Sequence, residues 1–82
     1  MNTNNERKNY KVTFQMNVDE KRFVDLTDRN PIEAKNGIYS WITSAKSQEK
    51  LVEICKEDEK MWNDTTKFSN LKVTFISVEA EN

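Results

Sequence analysis

No histidine occurs anywhere in this 82-residue chain, and cysteine, glycine and proline occur once each. Without histidine there can be no Ser-His or Cys-His nucleophile, and the commonest ligand of zinc and haem is missing. A single cysteine, Cys55, cannot close a disulfide within the chain or build a thiolate metal cage, so it reads as a small buried hydrophobe. One glycine is too few for a phosphate-cradling loop. Long apolar runs are absent too. Nothing approaches the roughly 18 apolar residues of a membrane span, and the opening "MNTNNERKN" has no apolar segment of signal-peptide type.

Charge of one sign is also lacking. Thirteen basic residues stand against fourteen acidic ones, for a net charge of -1. Divided after Trp41, the first part carries 7 basic and 6 acidic residues and the second 6 and 8. Neither shows the clustered cation excess of a phosphate-tracking protein. The nearest thing to an acidic face of DNA-mimic type, Lys56-Glu57-Asp58-Glu59-Lys60, is flanked by its own counter-ions. The carboxylates are scattered, with no close pair of hydrolase type and no oxygen cage for a metal. The expectation is a non-enzymatic protein without catalytic, cofactor-binding or metal-binding residues. It is placed in the cytoplasm, or in the host cytoplasm if phage-encoded. Ten asparagines and ten lysines resemble the output of an AT-rich bacterial or phage genome.

What is present is enough for one small domain. Residues 1–8 are polar throughout and read as a disordered tail, 9–79 as a single α+β domain and 80–82 as a C-terminal tail. In "YKVTFQMNV" the apolar Tyr10, Val12, Phe14, Met16 and Val18 alternate strictly with polar residues, the period of a half-buried strand. "DEK" at 19–21 suits a turn, and "RFVDL" a returning second strand with Val24 and Leu26 inward and Phe23 outward. From Pro31, the residues Ala34, Ile38, Trp41, Ile42 and Ala45 fall in one helical arc, capped by Asn30. Asn36-Gly37 is a rival signal, because it is the preferred pair of a two-residue hairpin turn. The helix is favoured over it. Ser47 caps a second helix in which Leu51, Cys55 and Trp62 share a face, and "LKVTFISV" is the last strand.

"KVTF" appears at 11–14 and again at 72–75. Four residues with different flanks are one strand pattern reached twice and not an internal repeat. The expected architecture is a three-stranded, mostly antiparallel sheet in the order 2-1-3, with two helices on one face and the long first strand central. The expected core comprises Val12, Phe14, Met16, Ile38, Ile42, Leu51, Cys55, Val73 and Phe75. Trp41 and Trp62 also read as core.

The pattern of the last strand slips after Phe75, where Ile76 and Val78 move to the other face. Either a bulge shifts the register, or an edge strand apolar on both faces is covered by a second copy of the chain. Asp58 falls inside an apolar helical arc, so either the helix frays before it or the carboxylate sits at a rim beside Lys or Arg. With no chemistry to place, the expected function is a small protein-binding module, an accessory or inhibitory factor of a phage or mobile element that covers a partner's surface. Phe23, Tyr39, Ile76 and Val78 are its candidate contacts, and a homodimer through the last strand is a further expectation. The alternative is a nucleic-acid-associated regulator using Lys11, Lys21, Arg22 and Lys72 along the solvent face of the sheet.

Overall fold

A computed structural model describes residues 6–81. Strand β1 (Lys8–Met16) carries the strict alternation, and Tyr10, Val12, Phe14 and Met16 are all buried. It leads into helix α1 (Glu20–Thr27), whose cap Asp19 accepts the Arg22 N–H at 2.9 Å. The Asp28 N–H closes the last turn on the Val24 carbonyl, and Asp28 takes a left-handed conformation at φ 56°. "RFVDL" is therefore helix and not strand. Local caps fix both of its ends, and helical geometry turns Phe23 inward to full burial.

The segment expected as a helix from Pro31 is a hairpin. Strands β2 (Glu33–Lys35) and β3 (Ile38–Ala45) are joined by Asn36-Gly37, with φ of 53° and 81°. Two successive positive φ values give the twist that matches paired strands. "IYSWITSA" is rich in β-branched and aromatic residues, and such residues fit a pleated surface better than a helix. Tyr39 and Trp41 face inward, while Ile38 and Ile42, expected in the core, face outward.

Helix α2 (Gln48–Trp62) follows the expected pattern. Ser47 accepts the Lys50 N–H, and Leu51, Cys55 and Trp62 are buried. Strand β4 (Val73–Ala80) pairs antiparallel with β1, joining the two "KVTF" segments through Phe14–Phe75.

The sheet has four strands, not three, in the order β2-β3-β1-β4, and every neighbouring pair is antiparallel. Hence β1 and β2 run parallel with β3 between them, and β3 and β4 run parallel with β1 between them. This β-α-β-β-α-β arrangement of two interleaved split units is the ferredoxin-like topology. Phe14 is the hub of the core: it stacks on Trp41 (5.4 Å), meets Trp62 edge-on (5.6 Å) and touches Phe75. Phe23 from α1 stacks on Tyr39 at 4.4 Å. Both helices thus cover one face of the sheet.

The strand pairing extends to both ends of the domain expected at 9–79. Lys8 pairs with Ala45, Ala80 with Tyr10, and the Glu81 N–H bonds the Asn9 carbonyl. Arg7 also bonds Ser44, so residues 7 and 8 of the expected tail are engaged, while residues 1–5 and 82 lie outside the described residues.

Candidate functional site

Among the described residues, the face of the sheet opposite the helices is uncovered. It is built by the alternate residues of each strand: Lys11, Thr13 and Gln15 of β1, Ile38, Ser40 and Ile42 of β3, and Thr74 and Glu79 of β4. The ladder shifts between Thr13 and Phe14 so that Ile76 is the extra residue opposite them. A bulge is one of the two readings of the slip in the last strand, though only Val78 and not Ile76, which stays outward, goes to the core with it.

Ile38, Ile42 and Ile76 are 41%, 37% and 46% exposed. Ile38 and Ile42 lie about 13 Å apart along β3, and Ile76 sits two strand spacings, about 10 Å, to the side. Between them runs a hydroxyl row: Thr13 and Ser40 are hydrogen-bonded at 2.8 Å, and Ser77 stands opposite Thr13. Lys11 is ion-paired with Glu33 of the edge strand. That bond, together with Glu79 and Glu81, raises the ammonium pKa above the usual lysine value. The face is therefore apolar at three points, with a satisfied polar centre.

The helix layer carries a second concavity, a cleft of about 220 Å³ between α1 and α2 lined by Leu26, Trp41, Ile54, Cys55, Asp58 and Met61, with Arg29 at its side. The Arg29 guanidinium lies over the Trp41 ring at 5.4 Å. Burial raises the Asp58 carboxyl above the usual aspartate range, and the positive charge of Arg29 partly offsets this. Of the two readings of Asp58, the rim beside an arginine is the one seen; the helix does not fray before it but runs on to Trp62. Burial, assisted by the Asp58 charge, pushes the Cys55 thiol up to about 11, so it stays protonated at neutral pH and is a poor nucleophile. Among the described residues no three metal-ligating side chains gather at one point, and no helix is long and apolar enough to cross a membrane.

Of the four candidate contacts, only Ile76 is exposed. Phe23, Tyr39 and Val78 are buried. Phe23 turns inward because its segment is a helix, Tyr39 because its segment is a strand, and Val78 because the bulge resets the alternation. The four candidate cations do not share a surface either. Lys11 lies on the open face beside its carboxylate partner, and Lys21 and Arg22 project from α1 in the helix layer. Lys72 precedes β4 at the far end of the sheet, its N–H held by Asn17. The open face also lacks the stacking aromatics by which a four-stranded sheet of this topology reads bases. Every aromatic side chain of the chain packs in or against the core.

Ile38 and Ile42 are the members of the open face that the sequence reading missed. Their signal was Asn36-Gly37: with that pair as a turn, the two-residue strand period puts Tyr39 and Trp41 on one face and Ile38 and Ile42 on the other. The geometry describes a split β-α-β domain with one free sheet face. No protein-family model, no curated protein and no solved structure matches the chain.

Proposed function

We propose that this chain is a non-enzymatic protein-binding module whose uncovered sheet face is its contact surface. The observation carrying the reading is the convergence of Ile38, Ile42 and Ile76 on one flat face around a satisfied hydroxyl row. Exposed apolar groups grouped in this way mark contact sites more often than ones scattered singly. The backbone of the face is rigid, held in ladders on both sides of β1, so little ordering entropy opposes docking. Three strands of eight or nine residues with the three-residue β2 give a face of roughly 450 Å², less than the roughly 800 Å² per partner of a standard interface. The partner is therefore expected to reach over the short β2 edge as well. The small, motif-free chain and its asparagine- and lysine-rich composition support placing it among accessory or inhibitory factors of a phage or mobile element.

The test is capture of a stoichiometric protein from a bacterial lysate with wild-type bait, Ile42→Lys and Ile76→Lys baits, and a Lys56→Glu control on the outer surface of α2. Loss of capture by both isoleucine variants, with retained circular dichroism and an unaffected control, supports the reading. Equal capture by all four overturns it, and salt-sensitive retention of random duplex DNA in place of a protein would favour a nucleic-acid role.

A further inference from the structure

A surface in the helix layer, separate from the open sheet face, has an unusual division of character. Beside the apolar cleft between α1 and α2 lies a depression of about 370 Å³, lined by Arg7, Arg29, Lys46, Lys50 and the hydroxyl residues Ser44 and Ser47. The two hollows share Arg29, Thr43, Leu51 and Ile54 in their walls and so form one groove. Among the described residues no carboxylate lines the depression, although acidic residues outnumber basic ones in the chain.

Two of the four cations are held in place. The Arg7 guanidinium bonds the Ser44 hydroxyl at 3.1 Å and the Ser44 carbonyl at 2.7 Å, and Arg29 rests on Trp41. Lys50 has only a long contact of 3.9 Å to Glu53, worth little at an exposed site. The first turn of α2 adds partial positive charge at the same place. Ile54 and Met61, both exposed, edge the apolar half.

We propose that this groove docks an acidic amphipathic segment of a partner protein, with an apolar side chain seated between Ile54 and Met61 and carboxylates over Arg29, Lys46, Lys50 and Arg7. Charge complementarity selects the sign of the ligand, and the apolar half selects a peptide over a simple anion, which could use only the cationic end. A nucleic-acid strand fits poorly. Asp58 would repel its phosphates at the apolar end, and Trp41 is covered by Arg29 and offers no face for stacking. From Ser47 to Met61 the groove follows α2 for about 21 Å, which an extended segment of about six or seven residues spans.

The test is an amide chemical-shift titration of the whole chain with three probes: a short peptide bearing one leucine and several glutamates, the same peptide with glutamine for glutamate, and a single-stranded oligonucleotide. The glutamate peptide is expected to shift the amides of Arg29, Lys46, Lys50 and Ile54 with a Kd of about 1 mM or tighter. Binding should weaken about tenfold in Lys46→Glu/Lys50→Glu, and again in Ile54→Ser, with unchanged circular dichroism. Equal binding of the glutamine peptide, tighter binding of the oligonucleotide, shifts confined to the open sheet face, or no shift at all each overturns the proposal. Because Ile42→Lys and Ile76→Lys leave this groove intact, failure here and failure of the sheet-face reading are read separately.

Discussion

Phe14 shows what a single side chain decides in a domain of this size. It is fully buried at the centre of the strand that both β3 and β4 flank, in contact with Trp41, Trp62 and Phe75. Phe14→Ala leaves a cavity that three rigid rings cannot collapse to fill, at an expected cost of about 3 to 5 kcal/mol. Chemical denaturation should show most of the domain's stability lost. Asp58 makes the opposite case. Its folded-state pKa is raised by burial, so between the unfolded and folded values the folded state binds more protons and stability falls as pH rises. Asp58→Asn is therefore expected to raise Tm at pH 7 and leave it nearly unchanged at a pH below the usual aspartate value. A lower Tm at pH 7 would show that the attraction of Arg29 outweighs the burial.

At the scale of elements, the two segments whose type was misread from sequence, "RFVDL" as a strand and 31–45 as a helix, are both decided by chain reversals. The hairpin turn depends on Gly37: it sits at φ 81°, and a Cβ there would lie 2.8 Å from the Met16 carbonyl oxygen. Its own carbonyl accepts the Met16 N–H at 2.8 Å, so the turn is tied to the end of β1. Gly37→Ala combines the left-handed cost of about 1 to 2 kcal/mol with a backbone clash. A loss of about 2 kcal/mol or more is expected in urea unfolding, well above the loss from alanine at Asn36, where a side chain is already accommodated. Helix α1 is eight residues long, too short for periodicity to separate it from a strand. Its sequence signal was Asp19 as cap, not the apolar spacing.

The whole molecule has two sheet edges, and they are treated differently. One is β2, only three residues long. The other is β4, the strand through which a homodimer was expected. The bonds Asn17 N–H to Lys72 carbonyl and Glu81 N–H to Asn9 carbonyl fix the phase of the ladder, so the backbone groups of Val73, Phe75 and Val78 point away from β1. Side chains of α2 occupy them. Asn63 accepts the Val73 N–H and donates to the Val73 carbonyl, both at 2.8 Å, Glu59 accepts the Phe75 N–H at 2.7 Å, and Gln48 donates to the Val78 carbonyl at 2.8 Å. The helix thus runs antiparallel along the edge and blunts it against pairing. Val78 is buried as well, while Ile76 stays exposed, so the edge offers few free backbone groups to a second copy of the strand. Sedimentation of the wild type is expected to show no association through this edge up to about 100 μM, well above a micromolar affinity. Asn63→Ala with Glu59→Ala should lower stability by about 1 to 3 kcal/mol and introduce concentration-dependent association, and failure of the double variant to associate would show that α2 shields β4 by bulk alone.

The sequence by itself determined the central strand, the capped second helix, its neighbour "KVTFISV" and the α+β class, because strict alternation and a Ser cap are local signals that contacts elsewhere rarely override, whereas the slip near Ile76 left a bulge and a covered edge strand both open. It could not determine which way residues 20–45 fold. There the helical spacing of Ala34, Ile38 and Ile42 and the strand alternation of Tyr39 and Trp41 fit the same letters. Only tertiary structure chose: β3 as a strand seats Tyr39 on Phe23 and Trp41 on Phe14 in one core, and a helix would have divided those rings. The same choice put Ile38 and Ile42 on the open face. The groove beside α2 is likewise tertiary, since Arg7, Arg29 and the Lys46–Lys50 stretch lie far apart along the chain. Only the antiparallel return of β3 along β1 and the packing of both helices on one face bring their charges together.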